Sequence, residues 1–318
     1  MRTTRLLIRG GALLVAAAAA VGAPLRAQTV ERTLLVGSVA RTYLLHVPPH
    51  LAKSGAALIL VFHGRGGDGV GMERLTGFSA LADRAGFVVA YPNGLNRSWN
   101  DGRAIPAATR HRSAADDVGF ASLLIDSLTA EFHLDPRRVY ATGFSNGAGF
   151  TQYLGARLAT RLAAIASVSG GLAARAARDF APAEPLSVFI MQGTEDPLVA
   201  YGGGPVAAGR FGRELGADST ALLWEDADGI RARAATGELP DTDPDDGCRV
   251  SYRRWSGGRR DTEIWLYTLE GGGHTWPGGP QYLPVRYIGR VCRDFDATFA
   301  IWDFFVAHPK AAPRAGAE

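Results

Sequence analysis

The stretch RVYATGFSNGAGF, residues 138–150, constrains the fold of this chain more than any other. A short β-branched apolar run leads into Gly143-Phe144-Ser145-Asn146-Gly147, and a segment able to become a helix follows. Glycine-x-serine-x-glycine between a strand and a helix predicts a sharp turn that holds the serine at a strained backbone position with its hydroxyl exposed. The flanking glycines leave room for neighbouring backbone to pack close. The helix that follows points its first N–H groups at negative charge developing beside the serine. Glycine makes up 40 of the 318 residues, so the pattern arises easily by chance and an inert turn is the alternative. The rest of the chain decides between them.

The length and a hydrophobic content of 47% suffice for one large domain with a buried core. Arg2, Arg5 and Arg9 precede an apolar run over residues 11–21, and Leu25-Arg26-Ala27 offers a cleavage site. The run is too short and too rich in small residues for a membrane span, so residues 1–27 are predicted to be a secretory signal and the product secreted or periplasmic. No cysteine follows the run to carry a lipid, and no membrane partner is expected. Residues 1–27 hold four arginines and no acid, which leaves 30 basic against 31 acidic residues from the original 34 and 31. The basic character belongs to the signal, so a nucleic-acid partner loses its support. Cys248 and Cys292 both lie in the exported part, and an oxidising compartment predicts a disulfide between them over two buried thiols.

Runs at 33–36 and 42–47 around Gly37-Ser38 predict an opening hairpin. Residues 57–62 (ALILVF) are continuously apolar, as expected of a strand buried on both faces of a parallel sheet. Further buried strands are predicted at 87–91, 138–142, 164–169, 187–192 and 263–269, and helices at 72–85, from Asp116 or Asp117 to Phe132, and at 298–306. Phe120, Leu124, Leu128 and Phe132 recur on one helix face. Alternating strands and helices give a mostly parallel α/β sheet with reactive residues outside the carboxyl ends of its strands. Residues 202–246 are rich in Gly, Pro and Asp around one helical piece at 219–226, and predict an irregular excursion at the mouth of the site. The tail 309–318 is expected to be disordered.

A serine hydroxyl needs a base, and the base needs an orienting acid. His274 follows the strand at 263–269 in a glycine-rich loop, GGGHTW, while His46, His111, His133 and His308 lack such a setting. Asp196 follows the strand at 187–192 and falls between serine and histidine in chain order; Glu195 is its neighbour, and Asp226 or Asp228 would need a longer reach. The loop at 63–69, HGRGGDG, carries the spacing of a dinucleotide fingerprint. That reading needs an acid after the next strand, where Tyr91-Pro92-Asn93 stands instead, so no nucleotide cofactor is expected. The loop is better suited to an oxyanion hole, with the backbone N–H of Arg65 (or Gly66) and that of Asn146 converging on the carbonyl oxygen, and His63 shaping it. Trp99 and Trp276 are candidates for an aromatic wall against the substrate. No cluster has metal-ligand spacing, so no metal is expected.

Taken together, GFSNGAG, FHGRGGDG, GTEDPLVAY and GGGHTWPGG resemble the secreted poly(3-hydroxybutyrate) depolymerase and feruloyl esterase group of α/β-hydrolases. The resemblance runs from about residue 33 to 305. It implies the α/β-hydrolase fold, with a mostly parallel central sheet and helices on both faces. It also implies Ser145 as nucleophile, Asp196 as acid and His274 as base, with a small-molecule or oligomeric ester as substrate. YPNGLNRSWNDGR resembles the Trp-Asn loop that this group places near its substrate.

Overall fold

The computed structural model describes residues 28–103 and 116–311; the signal expected at 1–27, His111 and residues 312–318 lie outside them. Five apolar runs, β3 (Leu58–Phe62), β4 (Val88–Pro92), β5 (Val139–Phe144), β6 (Ala164–Val168) and β7 (Ser187–Gly193), bury every side chain. Continuous burial of this kind requires a covered sheet on both faces. With β12 (Ile264–Glu270) they form a parallel block. Antiparallel strands flank it: β1 (Gln28–Val36) and β2 (Val39–Val47) on one side, β11 (Arg249–Trp255) and β10 (Ala235–Glu238) on the other. The ten strands run in the order β1-β2-β4-β3-β5-β6-β7-β12-β11-β10.

Alternate residues of β3 serve two cores. Leu58, Leu60 and Phe62 pack with α3 (Asp117–Phe132), α4 (Asn146–Arg157) and α5 (Ala217–Asp228). Ile59 and Val61 pack with α1 (Gly69–Thr76), α2 (Phe78–Ala85) and the closing α7 (Ala297–Ala307). Asp116 caps α3 by accepting from the Gly119 N–H at 2.7 Å. Asp117 is buried instead and accepts from Arg41 at 2.6 Å, tying α3 to β2.

The structure departs from the sequence reading in four places. The helix expected at 72–85 is two helices, because Gly77 at φ 67° turns the chain left-handed and closes α1 on the Glu73 carbonyl. The segment 202–246 is more ordered than an irregular excursion. Residues Gly203–Pro205 and Arg213–Leu215 form a small two-stranded sheet of their own, β8 and β9. In α5, Ala217, Ala221 and Trp224 join the main core, and only part of the segment reaches the site. Strands β10 and β11 were not foreseen. The Arg254 guanidinium lies over Trp265 and Tyr252, 4.0 and 4.5 Å from their ring centres, which favours an arginine-rich run on an outer strand. Finally, residues 309–311 are anchored and not disordered: Lys310 Nζ bonds the Ala159 carbonyl at 2.7 Å and Glu184 at 2.6 Å.

Cys248 and Cys292 form a buried disulfide with Cα atoms 5.3 Å apart, bracketing the loop that carries His274.

Candidate active site

Ser145 lies between the end of β5 and the start of α4 with φ 57° and ψ −119°, a region that a residue with a side chain enters only when its surroundings enforce it. The enforcement is steric. A Cβ on Gly147 would come within 2.2 Å of the Phe62 carbonyl oxygen, and one on Gly143 within 2.4 Å of the Gly147 carbonyl oxygen. Only glycine at both positions lets the turn close against β3. The Ser145 N–H donates to Val168 O at 3.0 Å, which fixes the turn to β6 as well.

Asp196 follows β7 and His274 follows β12, and these strands are parallel neighbours. Their side chains meet: His274 Nδ1 lies 2.7 Å from Asp196 Oδ2, and both are buried. The carboxylate is held from every side. Oδ1 accepts from the Leu198 and Val199 N–H groups at 2.8 Å each, and Oδ2 also accepts from Gln192 Nε2 at 3.2 Å. An imidazole bonded through Nδ1 presents Nε2 on its other edge. Ser145, His274 and the ring of Phe144, whose centre is 4.9 Å from the imidazole, line one cavity of about 660 Å3. Glu195, Asp226 and Asp228 do not touch the histidine in this way. Glu195 contributes its N–H to Gly272 O, Asp226 pairs with Arg231, and Asp228 is buried against the Leu186 N–H.

The glycine-rich loop lies opposite. Gly66 at φ 80° completes a turn in which the Gly67 N–H donates to Gly64 O at 3.0 Å. The Gly66 N–H donates to Arg97 O at 2.7 Å and is engaged in holding the loop. Arg65 and Asn146 both line the cavity. His63 donates from Nδ1 to Gly64 O at 2.7 Å and accepts at Nε2 from the Gly94 N–H at 3.0 Å, and burial lowers its pKa. Both ring nitrogens are thus occupied in holding the loop. Asn93, where a ribose-binding acid would stand, accepts from the Gly69 N–H at 2.7 Å and so closes the start of α1.

Neither tryptophan forms an aromatic wall. Trp99 is 2% exposed, stacked on Phe150 with ring centres 5.2 Å apart, and its indole N–H donates to His63 O at 2.8 Å. Trp276 is 1% exposed against Phe78 and donates to Thr298 Oγ1 at 3.0 Å. Each fills the core under the loop that bears its neighbours. The aromatic faces in the cavity are Phe144, Phe211 and Tyr282. The Tyr282 hydroxyl donates to His274 O at 3.1 Å, and burial together with the Asp196 charge raises its pKa. Phe211 comes from the 202–246 segment and lies 4.3 Å under the Arg65 guanidinium.

A charged network invisible in the sequence pattern supports the Trp-Asn loop. Asn146 Oδ1 accepts from the Ser98 hydroxyl and the Trp99 N–H, and Nδ2 donates to Asp101 Oδ2 at 2.6 Å. Asp101 in turn pairs with Arg103, whose Nη1 lies 2.8 Å from Glu214 Oε1. Burial pushes the Glu214 carboxyl up to about 7, against the pull of Arg103.

A mostly parallel sheet with a strained serine at one strand-to-helix turn and a bonded Asp–His pair at the ends of two later strands defines the class of α/β-hydrolases. Residues 41–198 match the family model described as Esterase PHB depolymerase. The chain is 32% identical to a putative esterase, NocK, from Nocardia uniformis subsp. tsuyamanensis, over 88% of this chain and 83% of that protein. It is 33% identical to feruloyl esterase B of Piromyces equi over 63% of this chain, which spans 35% of that longer protein. Among solved structures, acetyl xylan esterase from Aspergillus awamori superposes with a TM-score of 0.54 at 17% identity, covering 77% of this chain and 94% of that one. The chain belongs to the PHB depolymerase esterase family, and it is a carboxylic ester hydrolase.

Proposed function

We propose that the protein is an exported serine esterase acting through an acyl-enzyme on small or oligomeric esters, with Ser145, His274 and Asp196 as its triad. The hydrogen bond between His274 Nδ1 and Asp196, beside a strained Ser145 in one cavity, carries the reading. Ser145 Oγ attacks the ester carbonyl carbon while His274 Nε2 takes its proton. The Arg65 and Asn146 N–H groups stabilise the oxyanion, and the imidazolium then protonates the leaving alcohol. Water, activated by the same nitrogen, releases the acid. The arginine-led apolar segment before residue 28 and the buried disulfide support export. No helix among the described residues is long and apolar enough to cross a membrane.

A cavity of about 660 Å3 is in the range that encloses a molecule of drug size, which favours feruloyl-type or short hydroxyalkanoate esters. A second reading, attack on solid polyester, has its own observation: Leu283, Val285 and Tyr287 are 47, 47 and 56% exposed beside the mouth. Fluorophosphonate labelling tests the chemistry. Wild-type protein takes the label and Ser145→Ala does not, with activity down about 10⁴-fold or more in a folded variant; an alanine variant that keeps a tenth of the activity would move the nucleophile elsewhere. Clearing of a polyester suspension at a rate matching soluble esters would promote the second reading.

A further inference from the structure

Arg103 is a buried cation in the wall of the cavity that holds Ser145. Its side chain is 2% exposed, and the wall around it is largely apolar, with Met72, Leu75, Leu198, Val206 and Ile288 among its residues. A guanidinium carries five N–H donors. Nε donates to Asp101 Oδ2 at 2.7 Å and Nη2 to the same oxygen, while Nη1 lies 2.8 Å from Glu214 Oε1. The fork is therefore fixed from behind by two carboxylates. The carboxylate oxygen that takes Nε also takes Asn146 Nδ2 at 2.6 Å. The guanidinium thus sits within two hydrogen-bond lengths of the Asn146 amide, and Asn146 follows the nucleophile directly. Arg103, Ser145 and Asn146 line the same cavity, so the guanidinium stands on the wall that carries the residue after the nucleophile.

We propose that Arg103 is a specificity-determining residue, whose guanidinium donates a hydrogen bond to an uncharged oxygen on the acyl group close to the carbonyl. The inference rests on the esterase reading above. The charge balance selects the kind of oxygen. Asp101 neutralises the guanidinium, and Glu214, raised to about 7, adds a partial negative charge, so a carboxylate on the acyl chain would find no net positive charge to pair with, whereas an ether, hydroxyl or second carbonyl oxygen needs none. A donor that is charged, buried and held by partners loses little entropy when it takes up such an oxygen. An acyl chain with a methylene at the same place leaves that donor facing hydrocarbon, which is where discrimination arises.

The test compares two isosteric esters with one leaving group, 4-nitrophenyl 3-methoxypropanoate and 4-nitrophenyl pentanoate, with 4-nitrophenyl succinate as the anionic member. After division by the hydroxide-catalysed rates, wild-type kcat/KM is expected to favour the methoxy ester by about 10- to 100-fold, as one hydrogen bond from a charged donor gives. The succinate half-ester should be the poorest of the three. Arg103→Met should bring the methoxy-to-pentanoate ratio close to one, and Arg103→Lys should retain part of it. A ratio within one enzyme does not depend on how much of a preparation is folded, and fluorophosphonate labelling of Ser145 counts the active molecules. A wild-type ratio equal to the hydroxide ratio, or an unchanged ratio in a labelled Arg103→Met or Arg103→Lys, overturns the proposal. If neither variant labels, the wild-type ratio and the succinate rate decide it. Failure of the wild type itself to label would instead remove the esterase reading on which the proposal stands.

Discussion

Asp196→Asn replaces one oxygen by an amide nitrogen at a site where four donors converge. Oδ1 faces two backbone N–H groups at 2.8 Å, which cannot turn away, so the asparagine oxygen must stay there. Its NH2 then occupies the place of Oδ2, against His274 Nδ1 at 2.7 Å and Gln192 Nε2 at 3.2 Å. Gln192 can rotate its amide, but Nε2 also donates to Val199 O at 2.9 Å, and that bond would be lost. The imidazole has one neutral way to fit, accepting at Nδ1 and carrying its proton on Nε2. That tautomer cannot take the serine proton. A loss of about 10⁴-fold in kcat is expected, as for any triad held in the wrong tautomer. The fold should survive, because both backbone donors keep an acceptor; the lost charge-assisted bonding costs about 1–3 kcal/mol. The assay is steady-state hydrolysis of a soluble nitrophenyl ester, with a thermal melt on the same preparation. A folded Asp196→Asn that keeps more than a tenth of wild-type kcat would refute the assignment, and a severe loss on changing Glu195 would transfer it.

Two further outcomes concern the scaffold. Burial raises the Asp228 carboxyl from 3.8 to about 6, so between those values the folded protein holds a proton that the unfolded chain has released. The contribution of this group to stability is then fullest below about pH 4, and about 3 kcal/mol of it is lost as pH rises through 6. Asp228→Asn should therefore melt above wild type at pH 8, with the gap narrowing toward pH 4; a gap independent of pH would contradict this. Trp276→Phe removes a buried bond to Thr298 and should lower the melting temperature while changing KM for aryl and alkyl esters equally. A selective rise for the aryl ester would return Trp276 to the substrate wall.

The parallel block was legible because strands buried on both faces must be largely apolar, as LILVF and the VFIM stretch of β7 are. The serine turn was legible because its glycines are steric necessities. The outer strands were not, since the feature that stabilises β11 is Arg254 lying across rings from its own and the neighbouring strand. Trp99 and Trp276 were misplaced for a related reason. Sequence position put them beside reactive loops, yet an indole with one N–H can be fully buried once that donor finds a partner, and both do. Two of the cavity's aromatic residues, Phe211 and Tyr282, carry no motif. The Asp101–Arg103–Glu214 network joins residues that no periodicity relates.

The separation between Asp196 and His274, 78 residues along the chain and one hydrogen bond apart, has a temporal side. The turn around Ser145 is built from neighbours in β3, β5 and β6, all present once about half of the chain exists. The base arrives only when β12 adds to β7, and the cross-link between Cys248 and Cys292 closes around it later still. Long-range pairings of this sort form last because loop closure must come first. A chain that ended before β12 would hold the strands that pack round the Ser145 turn and lack His274 altogether. The serine turn and its proposed base are thus contributed by separate parts of the sequence, and the Cys248–Cys292 cross-link ties the later part to itself on both sides of His274.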